Sequence, residues 1–395
     1  MQFATRLDNV ETSAIRELFK LLGKPGIISF AGGFPDSAMF DVEGLKEASA
    51  KALAEEPGGA LQYGATEGYD PLRAQLSAFM KGKGVEVAPE GLIVTTGSQQ
   101  ALDLLGKTLI SPGDKVIVEG PTFLATIQCF RLYGAQLISA PIDAEGVEVE
   151  RLEQLIVEHK PKFVYLIPTF GNPSGAMLNL ERRRKVLELA VKHNTVIVED
   201  DPYGDLYFGK APPPSLMSLT KEVPGSRELM VHCGSLSKVL SPGLRIGWMI
   251  APPELLAKAT MCKQFSDAHT STFAQATAAQ YLKSGRMPDT LANVRKVYAE
   301  RAAAMGAALK RELGDAVAFT QPGGGLFFWA RLTGAGGKLA DANVLAQRAI
   351  EKGVAFVPGA PFFAEKPDVA TLRLSFATAN VEKIEEGIAR LGAAL

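Results

Sequence analysis

A little past its middle the chain reads Leu229-Met-Val-His-Cys-Gly-Ser-Leu-Ser-Lys238. The apolar run Leu229–Cys233 is short and bounded by small residues, which predicts a strand. It ends on Ser235, Ser237 and Lys238, so polar and reactive groups sit where the strand stops. Six similar runs surround it: Leu92–Thr95, Lys115–Glu119, Gln136–Ser139, Phe163–Ile167, Val196–Glu199 and Arg245–Ile250. Helix-like segments alternate with them, at Gln99–Leu109, Thr122–Leu132, Leu180–His193 and Ala211–Leu219, the last broken by three prolines. Alternation of this kind predicts an α/β fold: a mostly parallel seven-stranded sheet between helices.

Outside this block the pattern differs. Ile15, Leu18, Phe19 and Leu22 recur at helical spacing over Thr12–Leu22, and Phe30–Pro35 is turn-rich. The stretch Leu255–Leu309 reads as helix with breaks near Gly285 and Pro288. Strands are expected at Ala316–Thr320, Gly325–Ala330, Val354–Val357 and Leu372–Phe376, around a helix Ala340–Lys352. We therefore expect a large domain over 41–285 and a smaller α+β domain over 286–395. The segment 1–40 should pack with the small domain and cover the active site. At 395 residues the chain is too long for one core.

Net charge is −1, with 42 basic and 43 acidic residues, which gives no electrostatic footprint for nucleic acid. No apolar stretch spans a membrane without Pro or charge, and the first twenty residues have no signal-like apolar run. Cys129, Cys233 and Cys262 form no CxxC pair, and His159, His193, His232 and His269 have no metal spacing. A cytoplasmic protein without a metal is the expectation.

In open α/β sheets ligands bind beyond the carboxyl ends of the strands. After Leu92–Thr95 comes Thr96-Gly-Ser-Gln-Gln100, where Ser98 suits a helix N-cap and the helix start suits a phosphate. After Phe163–Ile167, a turn with two prolines and two glycines presents Asn172. After Val196–Glu199 come Asp200, Asp201 and Tyr203, acids in apolar surroundings that suit a buried cation. After Leu229–Cys233, Lys238 is placed to be desolvated, which frees its amine for Schiff-base chemistry. Taken singly, each feature is matched by an ordinary turn, cap or surface lysine. Together they describe one ligand with a phosphate, a cationic ring nitrogen, a phenolate oxygen and an aldehyde, which is pyridoxal 5'-phosphate.

These residues resemble the fold-type I class I/II aminotransferases. The strongest pieces are Ser235-Leu-Ser-Lys-Val-Leu-Ser-Pro-Gly-Leu-Arg-Ile-Gly247, Asn172-Pro-Ser-Gly175 and Asp200-Asp-Pro-Tyr203. The resemblance implies that Lys238 carries the cofactor and then acts as base, and that Asp200 pairs with the ring nitrogen. It implies that Asn172 and Tyr203 bond the phenolic oxygen, and that Ser98, Gln99, Ser235, Ser237 and Arg245 hold the phosphate. Phe123 would stack on the ring; many relatives have tyrosine there. Tyr63 is similar to a tyrosine that reaches the neighbouring subunit's phosphate, which implies a homodimer.

The resemblance also implies that Arg373 clamps the substrate α-carboxylate, with Asn172 and Gly33 among the substrate-binding residues. The segments around Arg16 and Gly33 resemble the subgroup of 2-aminoadipate and kynurenine aminotransferases, in which Arg16 would meet a distal carboxylate. A solvated helix arginine explains Arg16 equally well. The expected activity moves an amino group from an L-amino acid to a 2-oxo acid such as 2-oxoglutarate. The donor is expected to be 2-aminoadipate, glutamate, or an aromatic or branched apolar amino acid. A lyase or decarboxylase of the same fold, or a non-catalytic effector domain, are the alternatives.

Overall fold

The structure is a computed structural model that describes residues 1–7 and 26–395. The expected helix at Thr12–Leu22, with Arg16, lies outside the described residues. The described strands are β1 (Ile28–Ser29), β2 (Leu92–Thr96), β3 (Lys115–Gly120), β4 (Gln136–Asp143), β5 (Gly146–Val147), β6 (Phe163–Leu166), β7 (Val196–Asp201), β8 (Met230–Ser235), β9 (Ile246–Ile250), β10 (Val317–Phe319), β11 (Phe327–Leu332), β12 (Val354–Ala355), β13 (Val357–Pro358) and β14 (Thr371–Ser375).

The large sheet runs β2-β9-β8-β7-β6-β3-β4-β5. Strands β8, β7, β6, β3 and β4 are mutually parallel. Strand β9 is antiparallel to both β8 and β2. All seven expected runs are present, but among the described residues the sheet has eight strands, not seven. The eighth is β5, a two-residue return onto β4. Asp143 Oδ1 accepts from the Glu145 amide at 2.8 Å and Gly146 turns at φ 89°, which folds the chain back. A strand this short carries no periodicity to read.

The inner strands are apolar on both faces because both faces are covered. Val116, Val118, Tyr165 and Val198 pack with Leu102, Leu105 and Phe130. Ile117, Val164, Leu166 and Ile197 belong to the opposite layer, with Leu152, Ile156 and Leu187. The helix Ser98–Leu109 buries Ala101, Leu102, Leu104 and Leu105, which fixes its start against the end of β2. Each such leucine adds about 1.5–3 kcal/mol by burial.

The expected helix Ala211–Leu219 shrinks to Leu216–Leu219, because Pro212, Pro213 and Pro214 hold the chain extended before it. The stretch 255–309 divides into Pro253–Ser266, Thr272–Lys283 and Met287–Leu313. The second break falls where Gly285 predicts it. The first was not expected: Ala268 adopts φ 62° and Ser271 caps the following helix through the Ala274 amide.

A second, antiparallel sheet runs β10-β11-β14-β13. The expected strand Val354–Val357 is two strands: β12 pairs in parallel with β1, and β13 pairs with β14. Leu291, Val294, Tyr298, Ala302, Met305 and Leu309 form the buried stripe of Met287–Leu313 at helical spacing. Residues 28–36 are tied to this half of the molecule. Phe30 donates to the Ala355 carbonyl at 2.7 Å and accepts from the Ser375 amide at 2.7 Å. Arg301 meets Asp36 at 2.8 Å.

Candidate active site

The carboxyl ends of β2, β7 and β8 and the turn after β6 open on one cavity of about 360 Å³, within the range of small-ligand sites. Ser98, Gln99, Phe123, Asn172, Asp200 and Tyr203 line it. So do Ser235, Ser237, Lys238, Arg245, Arg373 and Gly33. One of the expected residues that the structure describes does not line it. Tyr63 is 86% exposed, with its ring edge-on to His269 at 5.8 Å, and is thus open to a neighbour. Arg16 is outside the described residues.

At the end of β2 the N-cap is Gly97, not Ser98, which is the first helical residue. Gly97 has φ 77°, and a Cβ there would stand 2.3 Å from Nη2 of Arg245. Gly247 lies beneath: a Cβ on it would reach within 2.7 Å of the Ser98 amide nitrogen. Two glycines therefore let the helix start, β9 and a guanidinium meet. Arg245, itself at φ 54°, donates to the Thr96 carbonyl at 3.3 Å and the Pro242 carbonyl at 3.2 Å. A helix N-terminus and a cation side by side form an anion cradle.

Pairing of β6 with β7 sets Tyr165 opposite Val198. Alternation along β7 then puts Asp200 on the same face as Tyr165. The Tyr165 hydroxyl donates to Asp200 Oδ2 at 2.6 Å. Asp200 Oδ1 is buried and has no hydrogen-bond partner among the described residues. Burial raises the Asp200 carboxyl to about 6, a rise that the Tyr165 hydrogen bond opposes. Asp201 instead accepts from the Gly204 amide at 3.0 Å, so the turn after β7 is capped by the second acid, not by Asp200. On the other face, Glu199 receives the Leu216 and Met217 amides and contacts His232 at 3.0 Å.

Lys238 Nζ donates to the Gly33 carbonyl at 2.8 Å. Burial lowers its amine to about 8, with Arg373 and Arg245 adding to the fall. Arg373 is buried on β14. Nη1 donates to Asn172 Oδ1 at 2.8 Å, and Nη2 donates to the Ala31 carbonyl at 2.8 Å. Its guanidinium lies 4.3 Å from the Phe327 ring and 4.9 Å from the Phe362 ring. Among the described residues it has no carboxylate partner and its Nε is unpartnered, and burial lowers it to about 10. A buried cation held only by neutral oxygens is suited to an incoming anion.

Sequence reasoning missed Tyr165, whose signal is cross-strand register rather than spacing. It also missed Lys263, fully buried and bonded to Gln100, Asp267 and Thr270 behind the β2 loop. A polar residue inside a helical stretch gives no such warning. No group of three or more His, Cys, Asp or Glu side chains suited to a metal occurs among the described residues.

The residue set fits pyridoxal phosphate on two observations: the orphaned Asp200 Oδ1, an acceptor for a ring N–H, and the glycine-lined cradle under Arg245. With a lysine amine among them, the sheet and site define a pyridoxal-phosphate transferase of fold type I. The family model of aminotransferase class I and II matches residues 26–391, and the chain belongs to that family. It is 44% identical, over 100% of its length and 96% of the relative's, to a 2-aminoadipate transaminase of Thermus thermophilus. The crystal structure of an alpha-aminoadipate aminotransferase from Thermus thermophilus, complexed with N-(5'-phosphopyridoxyl)-L-leucine, superposes with TM-score 0.91 at 43% identity. The match covers 100% of this chain and 97% of that one. The Pyrococcus horikoshii kynurenine aminotransferase, in complex with PMP, gives 0.92 at 38% identity, covering 99% and 96%. The protein is a pyridoxal-phosphate-dependent aminotransferase. No described helix is long and apolar enough to cross a membrane.

Proposed function

We propose that the enzyme takes the amino group from 2-aminoadipate, glutamate, or an aromatic or branched apolar L-amino acid and gives it to a 2-oxo acid such as 2-oxoglutarate. The observation that carries this reading is the buried Arg373, held by Asn172 and the Ala31 carbonyl without a counter-ion among the described residues, in the same cavity as Lys238. Arg373 binds the substrate α-carboxylate, and the Asn172 carboxamide orients it. Gly33 gives the segment over Lys238 room for that substrate. The breadth of donors follows the relatives: one is named a 2-aminoadipate transaminase, another a kynurenine aminotransferase. Arg16 is proposed to meet a distal carboxylate.

Pyridoxal phosphate supplies an aldehyde that condenses with the amino group and a ring that accepts electrons from the adjacent carbon. Ser98, Gln99, Ser235, Ser237 and Arg245 would hold its phosphate. Phe123 would pack on the ring, and Tyr203 and Asn172 would hold the phenolic oxygen. Asp200 would pair with the ring nitrogen and keep it protonated. Lys238 Nζ would take the proton from the substrate Cα and hold it for return. Its lowered amine pKa leaves an unprotonated fraction near neutral pH.

We also propose a cytoplasmic homodimer in which the exposed Tyr63 reaches the partner's phosphate. The division into 1–40, 41–285 and 286–395 is part of this proposal. It is supported by the ties from Phe30 and Asp36 to the C-terminal half. A visible-spectrum titration of the purified enzyme with an amino-acid panel tests the substrate reading. Acidic and aromatic donors should bleach the bound-cofactor band; a response confined to another class, such as small amines without a carboxylate, would contradict it.

A further inference from the structure

We propose that Tyr165 is a positioning residue for the cofactor's ring nitrogen: its phenol occupies Asp200 Oδ2, so that Oδ1 alone is left to receive the ring. The inference deepens the reading above and rests on the role given there to Asp200.

The geometry comes from two neighbouring strands. Tyr165 on β6 and Asp200 on β7 share a face by register, and the phenol reaches Oδ2 at 2.6 Å. Both side chains are buried, so no solvent competes. The Tyr165 ring stands edge-on to Phe130 at 5.9 Å, and Phe130 stands edge-on to Phe163 at 5.2 Å. That packing fixes where the hydroxyl points. A carboxylate has two equivalent oxygens. With one of them committed, the side chain has one orientation rather than two, and the free oxygen is the unpartnered Oδ1.

The same bond bears on charge. A phenol this deeply buried keeps its proton, since burial and Asp200 itself push its ionisation far up. It therefore acts as donor, and a donor favours the ionised carboxylate. Asp201 and burial act the other way, and His232 acts with Tyr165. Glu119, Tyr203 and Cys233 complete the titratable surroundings, each of them feeling the Asp200 charge. Among these groups only Tyr165 has a hydrogen bond to Asp200 in the structure.

A double-mutant cycle on the holoenzyme tests the assignment. Cofactor retention is read by equilibrium dialysis, and the acid limb of kcat/KM is read alongside it. Asp200→Asn alone tests the role of Asp200; unchanged retention would remove that role and this inference with it. Tyr165→Phe keeps the ring and its packing. It should weaken retention about tenfold, the scale of one charge-assisted hydrogen bond, and move the acid limb to higher pH. In the Asp200→Asn background the same change should have less than about a twofold effect. Equal losses in both backgrounds would make Tyr165 a packing residue, and no loss in the wild-type background would overturn the proposal while leaving the Asp200 role intact. If Tyr165→Phe does not fold, 3-fluorotyrosine at position 165 retains the hydroxyl and strengthens it as a donor. It must then move the acid limb to lower pH, and an unmoved limb overturns the proposal.

Discussion

Nη1 of Arg373 donates to Oδ1 of Asn172 at 2.8 Å across the boundary between β14 and the turn after β6. The two residues stand 201 positions apart, Asn172 on a turn that follows a strand of the large sheet and Arg373 within the small sheet. The contact therefore joins the sheet that carries Lys238 to the sheet that carries the carboxylate clamp.

This contact predicts a split in steady-state kinetics. Arg373→Lys loses the planar fork, and should raise KM for the amino donor by about tenfold or more. Asn172→Ala should raise it less, since the Ala31 carbonyl still orients the guanidinium. Unchanged KM in Arg373→Lys would remove Arg373 from carboxylate binding.

The pH profile has a stated direction. Lys238 acts as base only once released from the cofactor and unprotonated, and its amine is lowered to about 8, so kcat should rise with pH up to that region. Asp200 must be ionised, and its carboxyl is raised to about 6, so activity should fall away below that pH. A rate that is flat between pH 5 and pH 8.5 would contradict both assignments.

Apoenzyme stability should run against activity. Asp200 and Glu119 are both raised by burial, to about 6 and about 7, above their unfolded values of 3.8 and 4.5. Between those limits the native state holds protons that the unfolded chain has lost. These two groups therefore stabilise at low pH, and their contribution falls as pH rises through about 4 to 7. Asp200→Asn removes one of them. Its apoenzyme should gain on the order of 1–3 kcal/mol over wild type at pH 7.5 while losing most turnover. Chemical denaturation at pH 4.5 and 7.5 checks this; a difference that does not change with pH would contradict it.

Lys263 predicts a loss of stability close to the phosphate cradle. Its buried ammonium meets Asp267 at 2.9 Å and Gln100 at 2.8 Å, and Gln100 accepts from the Thr96 amide at 2.8 Å. Lys263→Met leaves Asp267 unpaired but partly solvated. We expect a loss of about 2 kcal/mol, below the range for fully buried pairs, with weaker cofactor retention. Thermal denaturation of the apoenzyme and holoenzyme measures both.

Much of the architecture is legible in the sequence because buried runs alternate with helical periods, and chemistry gathers where four of the seven runs stop. What escapes is set by contacts rather than by pattern. The β5 return is two residues long. The break at Asp267–Ser271 contains no Gly or Pro and depends on Ala268 turning at φ 62°. The cap at the β2 loop falls on Gly97 because Arg245 approaches it, a fact visible only once β9 lies beside β2. Tyr165 sits inside an apolar run and declares itself only through its neighbour strand. The residues that share one cavity, from Ser98 to Lys238, stand out in the sequence because their types are unusual where a strand stops; Arg373 joins them from within β14.

The central claim is that Lys238 holds the cofactor. Borohydride reduction of the purified holoenzyme followed by peptide mapping tests it most directly. The account predicts a phosphopyridoxyl group on the peptide containing Lys238, none on any other lysine, and none in a folded Lys238→Ala protein, which should lack turnover. A label on a different lysine, or an active Lys238→Ala enzyme, would contradict it.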